Sequence, residues 1–559
     1  MDKGQVAAAL EEIGLLLDLL GDNPFKTRAY HNGARIVRGL EEDLDELVRR
    51  RELTKIKGIG SALAEKITAL VERGKLPYLD ELREKVPQGL LQWLKIQGLG
   101  AKKARAIHVA LGISTLGELE YACIENRLRD LPGFGTASQQ KILAGIERVR
   151  RNAGRFHQHL LQSEAERLLE TVQATTGVLH AEVGGAVRRK AETAVGIEII
   201  AAAEDGGPLM NKMVQDEGVA EIIDRRANAL EIRLARGPMA TLRIVPDERF
   251  SFALLSSTGS EAHLAALREL AGEQPLMEAA SEAEIYERLG LEWIPPELRE
   301  DLGEVDAAAE GRLPELIDEG DIRGMLHCHS TWSDGSSSIE EMAETVRGMA
   351  MDYLAICDHS RAAAYAGGLD SERVRGQHRE IDGLNSRYGG SFRVLKGIEV
   401  DILPDGRLDF EDDLLASFDI VVASVHSGFN FSEEKQTARI LRALENPYVD
   451  VLGHVTGRLL LARDGYALDL KRVLEVAADR DVAVEVNAHP HRLDLDWRNL
   501  REGLARGMKT CINPDAHSLE GLRHIRHGVG VARKGWCTKE SVLNAWPLDR
   551  LLDHLGARR

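Results

Sequence analysis

Cysteine is scarce in this chain: five residues in 559, at positions 123, 328, 357, 511 and 537. An odd and scattered set excludes a disulfide framework and a paired Cys-x-x-Cys zinc site. Long apolar runs are also missing, and none reaches the roughly 20 residues a membrane helix needs. The opening MDKGQVAAALEEIG carries acids in its first turns and lacks the apolar core of a signal peptide. A reducing, cytoplasmic compartment is the expectation. Net positive charge is lacking too: the balance of -18 argues at first sight against a polyanionic partner. The charge is uneven, however, because residues 1–150 hold 24 Lys and Arg against 21 Asp and Glu. Contact with nucleic acid is therefore expected at the N-terminal end.

Hydrophobic residues at 43%, charged residues at 29% and a mean hydropathy of -0.23 describe an ordinary soluble protein. The length points to three or four domains.

Three N-terminal stretches share a pattern: KIKGIGSALAEKI (55–67), KIQGLGAKKARAI (95–107) and DLPGFGTASQQKI (130–142). Each contains a Gly-x-Gly turn, Gly58 and Gly60, Gly98 and Gly100, Gly133 and Gly135, followed by an amphipathic helix. The glycines allow a tight turn, and the N–H groups at the helix start can face a phosphate. One such turn is no more than a helical hairpin. Three of them, about forty residues apart, indicate helix-hairpin-helix units that grip the DNA backbone without reading sequence.

From about residue 322 the pattern changes. Twelve of the 18 histidines lie there, and seven short apolar runs alternate with helical stretches: RGMLHCH, YLAICDH, RVLKGIEVD, DIVVASVH, VDVLGH, VAVEVN and KTCINPDAH. Six of the seven end in a metal-ligand type. Alternating strands and helices with functional groups at strand ends read as a barrel with seven strands and its site at the top. The candidate ligands are His327, His329, Asp334, His359, Glu399, His426, His454, Asp515 and His517. Taken singly, each histidine reads as a core or surface residue. Together they are too many for one tetrahedral ion and suit two or three Mn, Zn or Fe ions, an arrangement fit for phosphoester hydrolysis. Asp358, beside His359, reads as a group that orients an imidazole. Cys328 and Cys357 read as barrel packing, and His489 and His491 lie off the pattern.

Residues 323–559 resemble the PHP (polymerase and histidinol phosphatase) domain, on the HCH and closing DAH motifs. The order of helix-hairpin-helix units, VGGAVRRK, STGSEAH and LGLEWIPPELRE resembles a bacterial family X DNA polymerase. The resemblance implies a multidomain chain: an all-α helix-hairpin-helix region, an α+β nucleotidyltransferase palm with a thumb, and a distorted (β/α)7 PHP barrel. The expected boundaries are a lyase-like domain at 1–90, fingers at 91–155, palm at 156–255, thumb at 256–312, linker at 313–322 and barrel at 323–559.

In that family the palm carries Asp-x-Asp on one strand and a third Asp on a later one. Here Gly196 and Glu198 stand at the first two positions and Thr241 aligns with the third. One carboxylate of three is a poor magnesium site, and the palm is expected to be a retained scaffold with Glu198 vestigial. An unusual site from Glu198 with Asp205 or Asp247 is the alternative. The resemblance assigns nucleotide contacts to Gly184, Gly185, Arg188, Thr258, Gly259 and Ser260, although Ser256 and Ser257 replace the family's aromatic pair. It also puts Lys66 at a lyase Schiff-base position and Lys26 and Tyr30 at 5'-phosphate positions, with Ala62 in place of a neighbouring lysine. Lys66 reads equally as a solvated helix face.

Arg458 and Arg492 are read as phosphate or DNA contacts on guanidinium geometry, and equally as structural salt-bridge residues. The expectation is a metal-dependent 3'-to-5' exonuclease of DNA repair, with abasic-site cleavage as a further activity, acting as a nucleoid-associated monomer on gapped, nicked or 3'-ended DNA. An active gap-filling polymerase and a noncatalytic DNA end-binding scaffold are the alternatives.

Overall fold

The computed structural model describes residues 1–40, 42–124, 127–128, 131–272 and 279–558. Asp130, at the start of the third glycine repeat, and residues 273–278 of the expected thumb lie outside them. The chain forms two compact units, Met1–Ala153 and Gly154–Arg559.

The first unit is helical. Its opening helix, Lys3–Leu20, starts at a reciprocal cap in which Asp2 accepts from Gln5 N and the Gln5 side chain accepts from Asp2 N. Leu10, Ile13 and Leu17 lie on one face of it and join a core that runs from Val6 to Ile146. The boundary expected at residue 90 does not divide this core. Leu90, Trp93 and Ile96 belong to the same cluster as Leu10 and Ile67. At each repeat the first glycine is left-handed, with φ of 99° at Gly58, 82° at Gly98 and 86° at Gly133. The second glycine precedes a helix, Ser61–Arg73, Ala101–Leu111 or Thr136–Asn152, that has no side-chain cap. The first N–H groups of these helices are therefore left uncovered by side chains.

The second unit begins with a small ribbon, β1 (Phe156–His157) paired antiparallel with β3 (Thr193–Ala194). A five-stranded mixed sheet follows in the order β2 (Val178–Gly184), β4 (Gly196–Ala203), β7 (Met239–Val245), β6 (Ala229–Leu234), β5 (Val219–Arg225). The helix Gln158–Gln173 packs on β2 and β4. Strands β4 and β7 run parallel, with Glu198 opposite Thr241.

The remaining strands are β8 (Gly324–Cys328), β9 (Tyr353–Ile356), β10 (Arg393–Asp401), β11 (Ile420–Ser424), β12 (Val451–Leu452), β13 (Ala483–Asn487) and β14 (Thr510–Asn513). They pair in sequence order, all parallel, and helices separate most of them. A parallel bridge from Cys328 to Ala516 and a bond from Leu326 N to Asn513 Oδ1 at 3.0 Å join the first strand to the last. The result is a near-closed seven-stranded barrel. Its strands are buried almost throughout, as the apolar runs require when helices cover a parallel sheet.

Residues 313–322 are not a free linker as expected. Ile317 and Ile322 sit in the barrel core, and Ile317 N donates to Cys537 O at 2.9 Å, because two buried aliphatic side chains anchor the strap. Segments flanking the mixed sheet are also tied to the barrel by charge. Arg458 Nη2 donates to Glu192 Oε1 at 2.6 Å, and Lys534, fully buried, pairs with Glu300 and donates to Arg189 O at 3.2 Å.

Candidate metal centre

All nine candidate ligands project from the C-terminal ends of the barrel strands. His327 is on β8 and His329 two residues on, so both share a face. Asp334 follows in the next loop, His359 follows β9, and Glu399 is on β10. His426, His454, Asp515 and His517 follow β11, β12 and β14. The backbone at two of these positions is left-handed despite a side chain, with φ of 22° at His454 and 50° at Asp515. Such strain concentrates at functional sites, where the surrounding fold must hold it.

Three ligand sets emerge: His329, Asp334, His359 and His517; His327, His329 and Asp515; His359, Glu399 and His426. Within each, the nitrogen and oxygen atoms lie within 4.8 Å of one another. His329 Nε2 is 3.1 Å from Asp515 Oδ1, His426 Nε2 is 3.3 Å from Glu399 Oε1, and His517 Nε2 is 3.4 Å from Asp334 Oδ1. Bonds of about 2.0–2.2 Å from a shared ion would set its ligands at about these separations. His454 completes the group, with Nε2 3.0 Å from Glu399 Oε1. The sets overlap at His329 and His359, so they lie side by side.

The donors fit metal on a second count. His327 Nε2 and His329 Nδ1 are buried nitrogens without a hydrogen-bond partner among the described residues, and His359 Nδ1 meets only the carboxylate of another ligand, Glu399 Oε2, at 2.8 Å. Buried polar atoms are rarely left so, and an ion would satisfy them. The electrostatics agree. Burial pushes the Glu399 and Asp515 carboxyls up, but the imidazoles of His426 and His359, and of His327 and His329, outweigh it and hold both well below the usual range. Burial lowers His426 and His517, yet Glu399 and Asp401 raise the first to about 10, and Asp334 and Asp515 raise the second to about 9. These protons occupy a place that cations would take.

A supporting layer fixes the ligands, and its main member was not among the sequence candidates. Glu485, on β13, is fully buried and sets Oε1 2.7 Å from His327 Nδ1, which directs His327 Nε2 into the cluster. Its other oxygen accepts from His454 N at 2.9 Å. Asp401 Oδ1 lies 3.2 Å from His426 Nδ1, and Asn487 Nδ2 donates to Asp515 Oδ2 at 3.0 Å. The alternation in VAVEVN, with Glu485 and Asn487 two apart, is the signal that could have found them.

Two expectations are corrected here. Asp358 does not orient an imidazole. It accepts from Ser330 N and Oγ at 2.8 and 2.6 Å, from Gln377 Nε2 at 2.6 Å and from Ser333 Oγ, so it clamps the loop that carries Asp334. Arg458 is not available to grip DNA. Besides Glu192, it donates to Arg492 O at 3.0 Å and to Leu493 O, and the guanidinium is spent inside the fold. Arg492 differs: its Nε stands 3.9 Å from Asp515 Oδ2, at the edge of the cluster. Cys357 Sγ donates to Leu326 O at 3.2 Å, and Cys328 and Cys357 are both fully buried as barrel packing.

The mixed sheet brings together far less. Thr241 sits directly across from Glu198, and Gly196 across from Met239. A Cβ on Gly196 would come within 2.6 Å of Met239 O, so the strand has closed on the position an aspartate would need. Burial raises the Glu198 carboxyl, against the pull of Arg243 and Arg189. Asp205 instead accepts from Gly207 N at 2.9 Å, and Asp247 lies 3.5 Å from His180 Nε2, so neither joins Glu198. Gly184 and left-handed Gly185 border Glu198. Arg188 departs from its expected nucleotide contact: it donates to Glu282 at 2.9 and 2.7 Å and to Thr258 Oγ1 at 3.1 Å. Arg299 binds the same Glu282, and a carboxylate shared by two guanidiniums holds Arg188 in the fold. Gly259 closes the helix Phe250–Thr258, and Ser260 caps the next by accepting from His263 N at 3.1 Å.

In the helical unit, Lys26 and Lys66 lie over the Tyr78 ring at 5.2 and 5.3 Å, and Tyr30 stacks on it at 6.4 Å. Lys26 and Tyr30 of one helix thus share a patch with Lys66 and Tyr78.

Comparison with known proteins adds a common pattern. Residues 1–76 match the helix-hairpin-helix domain, 90–148 the SAM-like helix-hairpin-helix tandem, 272–300 the DNA polymerase beta thumb and 325–489 the PHP domain. A DNA polymerase/3'-5' exonuclease PolX of Bacillus subtilis is 36% identical over 98% of both chains. A probable phosphatase of Caldanaerobacter subterraneus is 38% identical over 30% of this chain and 66% of its own, and one of Syntrophotalea carbinolica 26% identical over 41% and 95%. With glycine hairpins at one end, a mixed sheet and thumb in the middle and a histidine-rich barrel at the other, matched along its length by such a relative, the chain belongs to the bacterial family X DNA polymerases with a C-terminal PHP domain.

Proposed function

We propose that the chain is a metal-dependent DNA phosphodiesterase that removes nucleotides from 3' ends during repair, with abasic-site cleavage as a second use of the same centre. The observation that carries this reading is the convergence of nine ligand-type side chains in three overlapping sets at one end of the barrel. The ligands are His327, His329, Asp334, His359, Glu399, His426, His454, Asp515 and His517. Two or three Mn, Zn or Fe ions held by them would supply Lewis acidity and a lowered water pKa. Glu485 and Asp401 keep the ring nitrogens of His327 and His426 aimed inward. Arg492 meets the phosphate beside Asp515. The glycine hairpins of residues 1–150 hold DNA by its backbone, without sequence preference.

The mixed sheet serves as framework rather than as a polymerase. Glu198 has Thr241 for a neighbour, and Arg188 is engaged by Glu282. Lys66, beside Lys26 and Tyr30, remains the lyase candidate of the helical unit.

The test is a labelled primer-template incubated with Mn, with and without deoxynucleotides. Shortening in both conditions is the expected result. Extension would support a polymerase, and neither change would support a DNA end-binding scaffold.

A further inference from the structure

Beside the metal centre stands a residue that the ligand set leaves unused. Tyr365 is 74% exposed, far more than an aromatic ring usually is on a soluble surface. Its ring centroid lies 6.4 Å from that of the ligand His359. The loop that presents it is firmly held. Leu369 N donates to His359 O at 2.8 Å, Gly368 N to Ala363 O at 3.2 Å and Arg373 Nη1 to Gly367 O at 2.5 Å. Gly368 allows this closure, since a Cβ there would meet Ser360 O at 2.0 Å. Ala363 and Ala366 turn inward, fully or nearly buried, while Tyr365 between them turns out. Across the mouth, Arg492 reaches the edge of the same cluster from the loop after β13.

A solvated aromatic ring on a firmly held loop, next to a phosphodiester-cleaving centre, has an evident complement. Every nucleobase offers a π-face, and stacking on a tyrosine tolerates any base identity. We propose that Tyr365 stacks on the base of the 3'-terminal nucleotide whose phosphodiester is cut, so that the centre takes one unstacked nucleotide of any sequence. The inference rests on the nuclease reading above. It makes Tyr365 a specificity residue: the ring strengthens the hold on a 3' nucleotide that carries a base, is not needed for an abasic one, and favours ends already unpaired from duplex.

The experiment compares full-length Tyr365→Ala, Tyr365→Phe and wild type, loaded with Mn, on two single-stranded oligonucleotides. One ends in an ordinary 3' nucleotide, and the other in a 3' tetrahydrofuran abasic nucleotide. Tyr365→Ala should lose about tenfold in kcat/KM on the first substrate, the scale of one base–aromatic stack. Tyr365→Phe should stay within about twofold. On the abasic substrate all three should be equal, an equality that a general structural defect would not produce. Equal activity of Tyr365→Ala and wild type on both substrates, or an equal loss on both, overturns the proposal. Failure of the wild type to shorten either oligonucleotide overturns the nuclease reading itself, which a loss confined to Tyr365→Ala would not.

Discussion

Two places in this chain follow one electrostatic plan, in which acids on neighbouring parallel strands gather cations to receive a phosphate. At the barrel mouth nine ligand-type side chains meet, whereas in the mixed sheet Glu198 faces Thr241. The contrast does not lie in the ligands alone. Around the barrel site two of the inward-facing imidazoles have a buried carboxylate behind them: Glu485 stands behind His327 and Asp401 behind His426. Around Glu198 the supporting groups have been turned to other work. Met239 O fills the space beside Gly196, and Glu282 draws Arg188 toward Arg299. A working site is thus recognised by what holds its ligands as much as by the ligands.

The largest expected effect sharpens that contrast. Replacing His327, Glu399 or Asp515 by alanine should each lower nuclease activity about a thousandfold or more, since a metal centre supplies several kcal/mol of barrier lowering. DNA binding, measured on gapped duplex, should change little. Full activity in Asp515→Ala would break the comparison.

Next comes the layer behind the ligands. Glu485→Ala should cost about 10–100-fold in activity or metal affinity, the usual range for a partner of a ligating histidine. Metal content per chain, read with kcat, separates the two, and an unaffected variant would mean that Glu485 is ordinary packing.

A smaller effect concerns pH. His157, His159, His489, His491, His524 and His527 form a second cluster of rings between the start of the mixed-sheet region and the barrel, with centroids as close as 4.3 Å. Burial, with Arg526 and neighbouring rings, lowers His527 to about 3, and burial with the neighbouring rings lowers His159 to about 4. The unfolded chain takes up protons near pH 6.5 that the folded one refuses. Stability from this cluster is therefore complete above pH 6.5 and declines as pH falls toward 4. The melting temperature of the metal-loaded protein should drop by several degrees over that window, and His527→Gln should flatten the slope.

The smallest expected effect is none at all. Glu198→Ala, made in a His327→Ala background, should leave DNA unextended and otherwise unchanged in the presence of Mg or Mn and deoxynucleotides. Template-dependent extension that Glu198→Ala abolishes would restore the mixed sheet to the rank of the barrel. Introducing Gly196→Asp, Glu198→Asp and Thr241→Asp together should still give no extension, because Arg188 stays bound to Glu282 and the new side chain at 196 meets a carbonyl.

How much of this was legible in the sequence follows from the range of each interaction. His327 and His329, Asp515 and His517, and each pair of glycines stand two residues apart, so strand and turn geometry alone brought them to notice. The seven barrel strands followed from apolar runs of the length a covered parallel sheet uses. Glu485 escaped because it sits inside VAVEVN, where a single acid in an apolar run takes meaning only once the barrel closes and His327 comes opposite. The two readings of Arg458, DNA contact or structural salt bridge, could not be told apart for a related reason: its carboxylate, Glu192, is 266 residues away in the chain. Residues 313–322 look like a linker in composition, and only the packing of Ile317 and Ile322 shows otherwise.

The tie between Glu192 and Arg458 bears on whether the barrel can be detached. A barrel cut free at residue 323 would keep Arg458 and Lys534 while losing Glu192 and Glu300, their carboxylate partners. The same cut would open to water the faces that those segments cover, so each cation would exchange its carboxylate for solvent. The segments that precede the barrel thus serve it as counterions, through Glu192 and Glu300.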